Sequence, residues 1–257
     1  MMYLSVVSRK AGAGQSKEQR APGCPHLNGV GSIWRLSVVQ EKMTRETPFS
    51  YNCLRCNACC HGKLIQVNPY EILKIANRLE ISTSEVLSTY IMTDQPYLRQ
   101  VENAACIFLG KDGCQIHSHR PTVCRIYPLG RFKDGENREF FINAKSEMGG
   151  KDLGGVVSNI QDYIDDQRVQ KYFDAGLKCL ELQHRIVEAF HGGRSITIPP
   201  ELEKNLLDWL DVDKVLALVG AEIPNKAIDQ KLETYVAAID QWLTTPNFSS
   251  GGSEDDC

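Results

Sequence analysis

The 257-residue chain has no apolar run near the roughly 18 residues that a membrane helix needs. Residues Met1 to Arg9 hold no apolar stretch long enough for a signal peptide. There is no basic excess: 29 Lys and Arg stand against 32 Asp and Glu, a net charge of −3. That balance gives no footing for nucleic acid as a partner. His-Glu-x-x-His, Gly-x-Ser-x-Gly and a dinucleotide-binding pattern are all missing. Gly12-Ala-Gly14-Gln-Ser-Lys17 follows no convincing strand and lacks a third glycine, so it is not read as a phosphate loop. No internal repeat is visible. The expectation left by these absences is a cytoplasmic protein without membrane or nucleic-acid partners.

Cysteine, by contrast, is abundant. Seven of the ten cysteines fall between Cys53 and Cys124, and four of them occupy one run, Cys53-Leu-Arg-Cys56-Asn-Ala-Cys59-Cys60. In a reducing compartment such clustering means metal or redox chemistry more often than a disulfide scaffold. Cys53-x2-Cys56-x2-Cys59 has the ligand spacing of bacterial ferredoxins and points to a cubane iron–sulfur cluster. Neighbouring side chains of an extended segment point to opposite sides, so adjacent Cys59 and Cys60 are not expected to ligate one small centre in the same manner. The second group, Cys106-x7-Cys114-x9-Cys124, does not pair as a zinc ribbon does. The spacing Cys53, Cys56, Cys60 reverses the radical S-adenosylmethionine order. Tetrahedral zinc remains open, since four thiolates from any loops suffice. Seven sulfurs exceed the needs of one mononuclear site, which leaves two centres, or one cluster with structural or redox thiols beside it.

Around the cysteines, Arg120 and Arg125 could offset thiolate charge or donate to cluster sulfurs, or they could be surface residues. His61, His117 and His119 are candidate ligands with packing or surface roles as the alternative. Cys24 and His26 form a Cys-x-His pair read as a bystander. Cys179, in a helical stretch, reads as a small buried apolar residue rather than a ligand, and Cys257 as incidental.

The expected fold class is α+β: a small Cys-rich metal-binding domain with short helices and β-hairpins, followed by a mostly helical C-terminal region. Residues 1–45 carry scattered glycines and read as disordered or as an artefact of gene-start assignment, with Met43 as a natural start. Residues 46–155 form the cysteine-cluster domain, 156–243 the helical region and 244–257 a polar, disordered tail. Leu64–Val67 is a strand candidate. Asn68-Pro69-Tyr70-Glu71 predicts a capped helix start, with Ile72, Ile75, Ala76 and Leu79 as its stripe. Ser82-x-x-Glu85 predicts a second helix to about Ile91. These two helices should fold the second cysteine group back onto the first, and the turn Gly110–Gly113 should bring Cys106 and Cys114 together. Phe132–Ile142 reads as a hairpin around Asp134-Gly135. Ser158-x-x-Gln161 predicts a cap for helices carrying Ile160, Tyr163, Ile164, Val169, Tyr172, Phe173, Leu180, Ile186, Val187 and Phe190, stopping at Gly192-Gly193. A last amphipathic helix is expected from about Ala227 to Leu243.

The run Cys53-x2-Cys-x2-Cys-Cys60, then Cys106-x-Phe-Leu, Cys114-x-Ile and Arg120-Pro-x-x-Cys-Arg-x-Tyr-Pro128, resembles the CxxCxxCC family of putative zinc- or iron-chelating proteins, the YkgJ-like cysteine cluster proteins. The resemblance covers about residues 50–150. It implies that Cys53, Cys56, Cys59, Cys60, Cys106, Cys114 and Cys124 are seven of the family's eight metal-binding cysteines. The eighth is expected after the hairpin, where Lys145–Gly150 holds none. Tyrosine is usual at the position of His117, which implies packing there. Flagellin lysine N-methylases carry a similar domain, so the resemblance also implies an enzymatic alternative.

Three functions follow as expectations. The first is a cytosolic protein holding an iron–sulfur cluster. The second is a metal-dependent enzyme, an iron–sulfur oxidoreductase or a lysine-methylase-like protein. The third is a structural zinc module that presents its helical half to a protein partner.

Overall fold

The computed structural model describes residues 41–51, 57–143, 158–191, 199–202, 206–224 and 226–245. The expectations for residues 1–40, for Cys24, His26, Cys53, Cys56 and Cys257, for the eighth-ligand segment Lys145–Gly150, for the Gly192-Gly193 stop and for most of the tail lie outside those residues.

The architecture is α+β, with seven α-helices and three two-stranded antiparallel sheets among the described residues. Before the cysteine run, Met43 exchanges two backbone hydrogen bonds with Phe141, of 2.9 and 2.8 Å. Arg45 donates to Glu139 and to Gln161. β1 (Pro48–Phe49) pairs with Ser158–Asn159. The segment from residue 41 is therefore stitched to the central hairpin and to the start of the C-terminal helices.

α1 (Pro69–Leu79) begins as its residue types dictate. The Asn68 side chain accepts from the Glu71 amide, the Glu71 carboxylate returns the bond to the Asn68 amide, and Pro69 fills the first turn. α2 (Thr83–Tyr90) starts on Ser82, whose hydroxyl accepts from the Glu85 amide. Leu64–Val67 forms no strand: it contributes one isolated bridge, Gln66 to Tyr97. The pairing is limited to the two bonds that flank this bridge, from the Val67 amide to the Pro96 carbonyl and from the Leu98 amide to the Ile65 carbonyl.

β2 (Leu109–Gly110) and β3 (Gly113–Cys114) form a hairpin in which Leu109 lies opposite Cys114, and Cys106 and Cys114 pack on the same core. α3 (Thr122–Arg125) carries Cys124. β4 (Leu129–Lys133) and β5 (Glu139–Asn143) form the longer hairpin. Its five-residue loop places the left-handed residue at Asn137 rather than at Gly135, and Asp134 accepts from the Glu136 and Arg138 amides.

After β6 (Ser158–Asn159) comes α4 (Ile160–Asp166). Its cap is Asn159 with Asp162 at the third position, one residue later than the Ser158–Gln161 box. Asn caps at least as well as Ser, and here the reciprocal Asp162 bond closes the box. α5 (Gln170–His191) buries Tyr172, Phe173, Leu182 and Ile186, but leaves Val187 exposed at 47%. α6 (Val212–Leu218) is capped by Asp211, and α7 (Ile228–Thr244) closes the order. No helix among the described residues is long and apolar enough to cross a membrane.

Two apolar cores result. One joins α1 to α4, α5, α6 and α7 through Tyr70, Leu73, Tyr163, Phe173, Val215 and Ile239. The other lies between α1, α2 and the cysteine hairpin, around Ile72, Ile75, Val86, Phe108 and Ile116, with Cys106, Cys114 and Cys124 packed on its margin. α1 faces both, because its buried residues wrap around the helix and not along one stripe.

Candidate metal centre

Three local structures present the five cysteines that the structure describes. Asn57, in the left-handed region (φ 62°), starts the 3-10 turn Ala58–Cys60. Cys59 and Cys60 thus ride one tight turn instead of an extended segment, and their thiols share a hydrogen bond. The extended backbone from which unlike ligation by Cys59 and Cys60 is expected is not what these two residues adopt. The Cys106 amide donates to the Cys60 carbonyl at 2.8 Å, so the second group does return onto the first across α1 and α2. In the β2–β3 turn, Gly113 has φ +102°, and a Cβ there would stand 3.4 Å from Asn57 Oδ1. The turn before Cys114 therefore lies against the residue that opens the Cys59–Cys60 turn.

Cys124 is aimed by buried polar contacts. The Glu71 carboxylate, 1% exposed, accepts the Thr122 amide at 2.7 Å and the Asn68 amide at 3.1 Å. Burial raises its pKa, against the hydrogen bonds from Thr122 and Asn68. Arg125 donates to the carbonyls of Arg120, Gln167 and Ser118 and to the Tyr172 hydroxyl. Of the two flanking arginines, Arg125 thereby serves the fold. Arg120 donates to the His117 carbonyl and to Gln167 Oε1, while its charge favours the thiolates of Cys59 and Cys114.

The five thiols form one electrostatic group. Cys59 is pulled down to about 6, first by the hydrogen bond from Cys60 and, against burial, by Lys63 and Arg120. Cys60 is pushed up by the same shared hydrogen bond, by burial and by the charges of Cys59, Cys114 and Cys124. Burial raises Cys106 and Cys114, with Cys59 adding to both. Cys124 lies well above the ordinary range, through burial and then through Cys106, Cys59 and Cys114. Mutual thiolate repulsion of this kind is what a bound cation offsets.

All six described cysteines, Cys179 included, are free thiols. Among the described residues no group of three or more His, Cys, Asp or Glu side chains has a geometry that would hold a metal ion. The donor chemistry, soft sulfur atoms with Lys63 and Arg120 beside Cys59, suits zinc or iron. The remaining two cysteines of the run, Cys53 and Cys56, lie outside the described residues.

Each of the three candidate histidines has its Nδ1 in a contact away from the thiols. His61 Nδ1 lies 3.2 Å from the Asn57 carbonyl, His117 Nδ1 lies 3.3 Å from Arg120, and His119 Nδ1 lies 2.8 Å from Ser118 Oγ. Cys179 is 6% exposed in the larger core, where burial raises its pKa to about 12. Two residues gain roles that the sequence reading did not give them. Lys63, its ammonium 3.6 Å from the Tyr127 ring centroid, brings positive charge to Cys59. Glu71 joins the α1 cap to α3. Lys63 carries a signal in its place three residues after Cys60. For Glu71, 51 residues from Thr122, the sequence holds none.

Comparison with known proteins places part of the chain in a described family model. Residues 52–147 are covered by the model of the CxxCxxCC family, described as a putative zinc- or iron-chelating domain. No curated protein and no solved structure matches the chain.

Proposed function

We propose that this protein, through its CxxCxxCC-type domain, holds iron as an iron–sulfur centre, in the reducing cytosol where such thiolates persist. The observation that carries the reading is the convergence of the cysteine segments: the Cys106 amide donates to the Cys60 carbonyl, the turn before Cys114 lies against Asn57, and Cys124 packs on the same core margin as Cys106 and Cys114. The ferredoxin-like spacing Cys53-x2-Cys56-x2-Cys59 favours iron with sulfide over a lone zinc ion.

Cys53, Cys56, Cys59, Cys60, Cys106, Cys114 and Cys124 are the pool from which the ligands come. When bound, such a centre supplies one-electron chemistry. Cys59 enters as a thiolate at neutral pH, because Cys60 donates to it and Lys63 and Arg120 face it. Cys124 enters from a helix fixed by Glu71 and Arg125, so it meets the metal on a preset backbone. Cys106 is held by its amide bond to Cys60, which couples the two cysteine groups as one unit.

Iron and acid-labile sulfide assays on anaerobically purified protein test the reading, together with Cys59→Ser and Cys124→Ser variants. Loss of bound iron and sulfide in both variants is the expected result. Zinc without sulfide, lost in the same variants, would replace it with a structural zinc module.

A further inference from the structure

On the flank of the cysteine loop, away from the thiols, the last turns of α1, the 3-10 turn His117–His119 and the start of α7 enclose a cleft of about 520 Å³. That volume falls in the range of small-molecule sites, roughly 300–1,000 Å³. Its floor is fixed. Lys231, 5% exposed, donates to Asp213 at 2.5 Å, and the other Asp213 oxygen accepts the Thr83 amide at 2.7 Å. This pair is a neutral, rigid base.

The rim is cationic. Arg78 and Lys226 line the cleft, and neither has a hydrogen-bond or ion-pair partner among the described residues. His119 also lines it. Its Nδ1 is engaged with Ser118, which leaves Nε2 as the ring nitrogen without a partner among the described residues. Burial first, and then the charges of Lys74, Arg78 and Arg125, lower the His119 pKa. Glu80, in a left-handed conformation at the end of α1, offsets one of the two rim cations. An adjoining pocket of about 310 Å³ shares Asp213 and Lys231 and adds an apolar wall, Leu216, Ala217 and Ile223.

We propose that this cleft binds a small organic anion through one phosphate or carboxylate group, with the ligand's carbon skeleton toward the α6 wall. Arg78 offers a planar fork that matches either oxyanion, and Lys226 adds a point charge. His119 adds a neutral imidazole donor or acceptor. With Glu80 present, the rim keeps a net positive charge that favours an anionic ligand. The proposal is independent of which metal the cysteines hold.

The test is calorimetric titration of the full-length protein, as purified with its metal, with AMP and with citrate in separate runs at low ionic strength. The expected result is saturable one-to-one binding of at least one probe, weakened about tenfold by Arg78→Gln and by Lys226→Gln. Arg138→Gln, on the exposed loop between β4 and β5, should leave it unchanged. Binding of AMP alone assigns a phosphate, of citrate alone a carboxylate, and of both the shared oxyanion chemistry. Absence of saturable binding by either probe would overturn the proposal. So would equal weakening by Arg138→Gln, or no weakening by Arg78→Gln and Lys226→Gln, which are exposed positions that the fold does not need.

Discussion

The buried carboxylate of Glu71 accepts the backbone amide of Thr122 at 2.7 Å, across 51 residues of sequence. With its other oxygen it closes the cap of α1. One side chain thus sets the start of the helix that backs both cores and the start of the helix that carries Cys124. Glu71→Ala leaves one buried and one part-buried donor without acceptors, which should cost about 1–3 kcal/mol in all. Urea unfolding of the metal-free protein checks this. Metal content should fall as well, since Cys124 loses its anchor. Unchanged stability would show that water or a neighbour takes the place of the carboxylate.

Thr83 couples the cysteine half to the C-terminal helices. Its hydroxyl donates to Asp211 Oδ1 at 2.6 Å and accepts the Asp213 amide at 2.8 Å, and Thr83 is fully buried. Thr83→Val keeps the shape and removes both bonds, so a loss of roughly 1–3 kcal/mol is expected. Limited proteolysis should then cut near α6 before the cysteine region. Cleavage that begins elsewhere at the same rate as in the unaltered protein would contradict the coupling.

How much of this was legible in the sequence depends on distance along the chain. The Asn68-Pro69-Glu71 start and the Ser82 cap could be read because each is closed by residues three apart. The second bond of Glu71 and the Thr83 contacts could not, because their partners lie 51 or more residues away. α6 offers only seven residues, Val212–Leu218, too short for a periodic signal to stand out, although Asp211 has the cap residue type. Val187 is one of the apolar residues by which the sequence marks this helix, yet helical neighbours differ by about 100°, and of the pair only Ile186 is buried. The cysteines were legible as a group because thiol spacing is local. The 3-10 turn that makes Cys59 and Cys60 neighbours was not, since it rests on the left-handed Asn57.

Acid should destabilise the β4–β5 hairpin's links to the N-terminal segment. Burial works against the Glu139 carboxylate, and hydrogen bonds from Arg45 and Arg131 outweigh it, so its pKa lies below the ordinary 4.5. A depressed carboxylate contributes stability that is present above its unfolded pKa and lost as pH falls through the folded one. Glu139→Gln should therefore be less stable than the unaltered protein at neutral pH, with the gap closing below about pH 4.5. Denaturant midpoints measured across that range decide it. A gap that does not narrow would mean that the carboxylate's charge is not what matters.

Cys59 should be the most reactive of the five described thiols in reduced, metal-free protein at neutral pH, because the bond from Cys60 and the charges of Lys63 and Arg120 hold it as thiolate. Cys60→Ala removes the first of these and should slow alkylation of Cys59 several-fold. Mass-spectrometric mapping of iodoacetamide labelling reads this out. Faster labelling of Cys124, whose thiol is pushed up by burial and by the neighbouring cysteines, would contradict the electrostatic account.

The central claim is that the clustered thiolates hold an iron–sulfur centre. The most direct measurement is the iron, zinc and acid-labile sulfide content of protein purified without oxygen. The account predicts iron and sulfide in about equal amounts, near four of each for a cubane cluster, with broad visible absorption. Zinc in stoichiometric amount without sulfide, in a colourless protein, would contradict it.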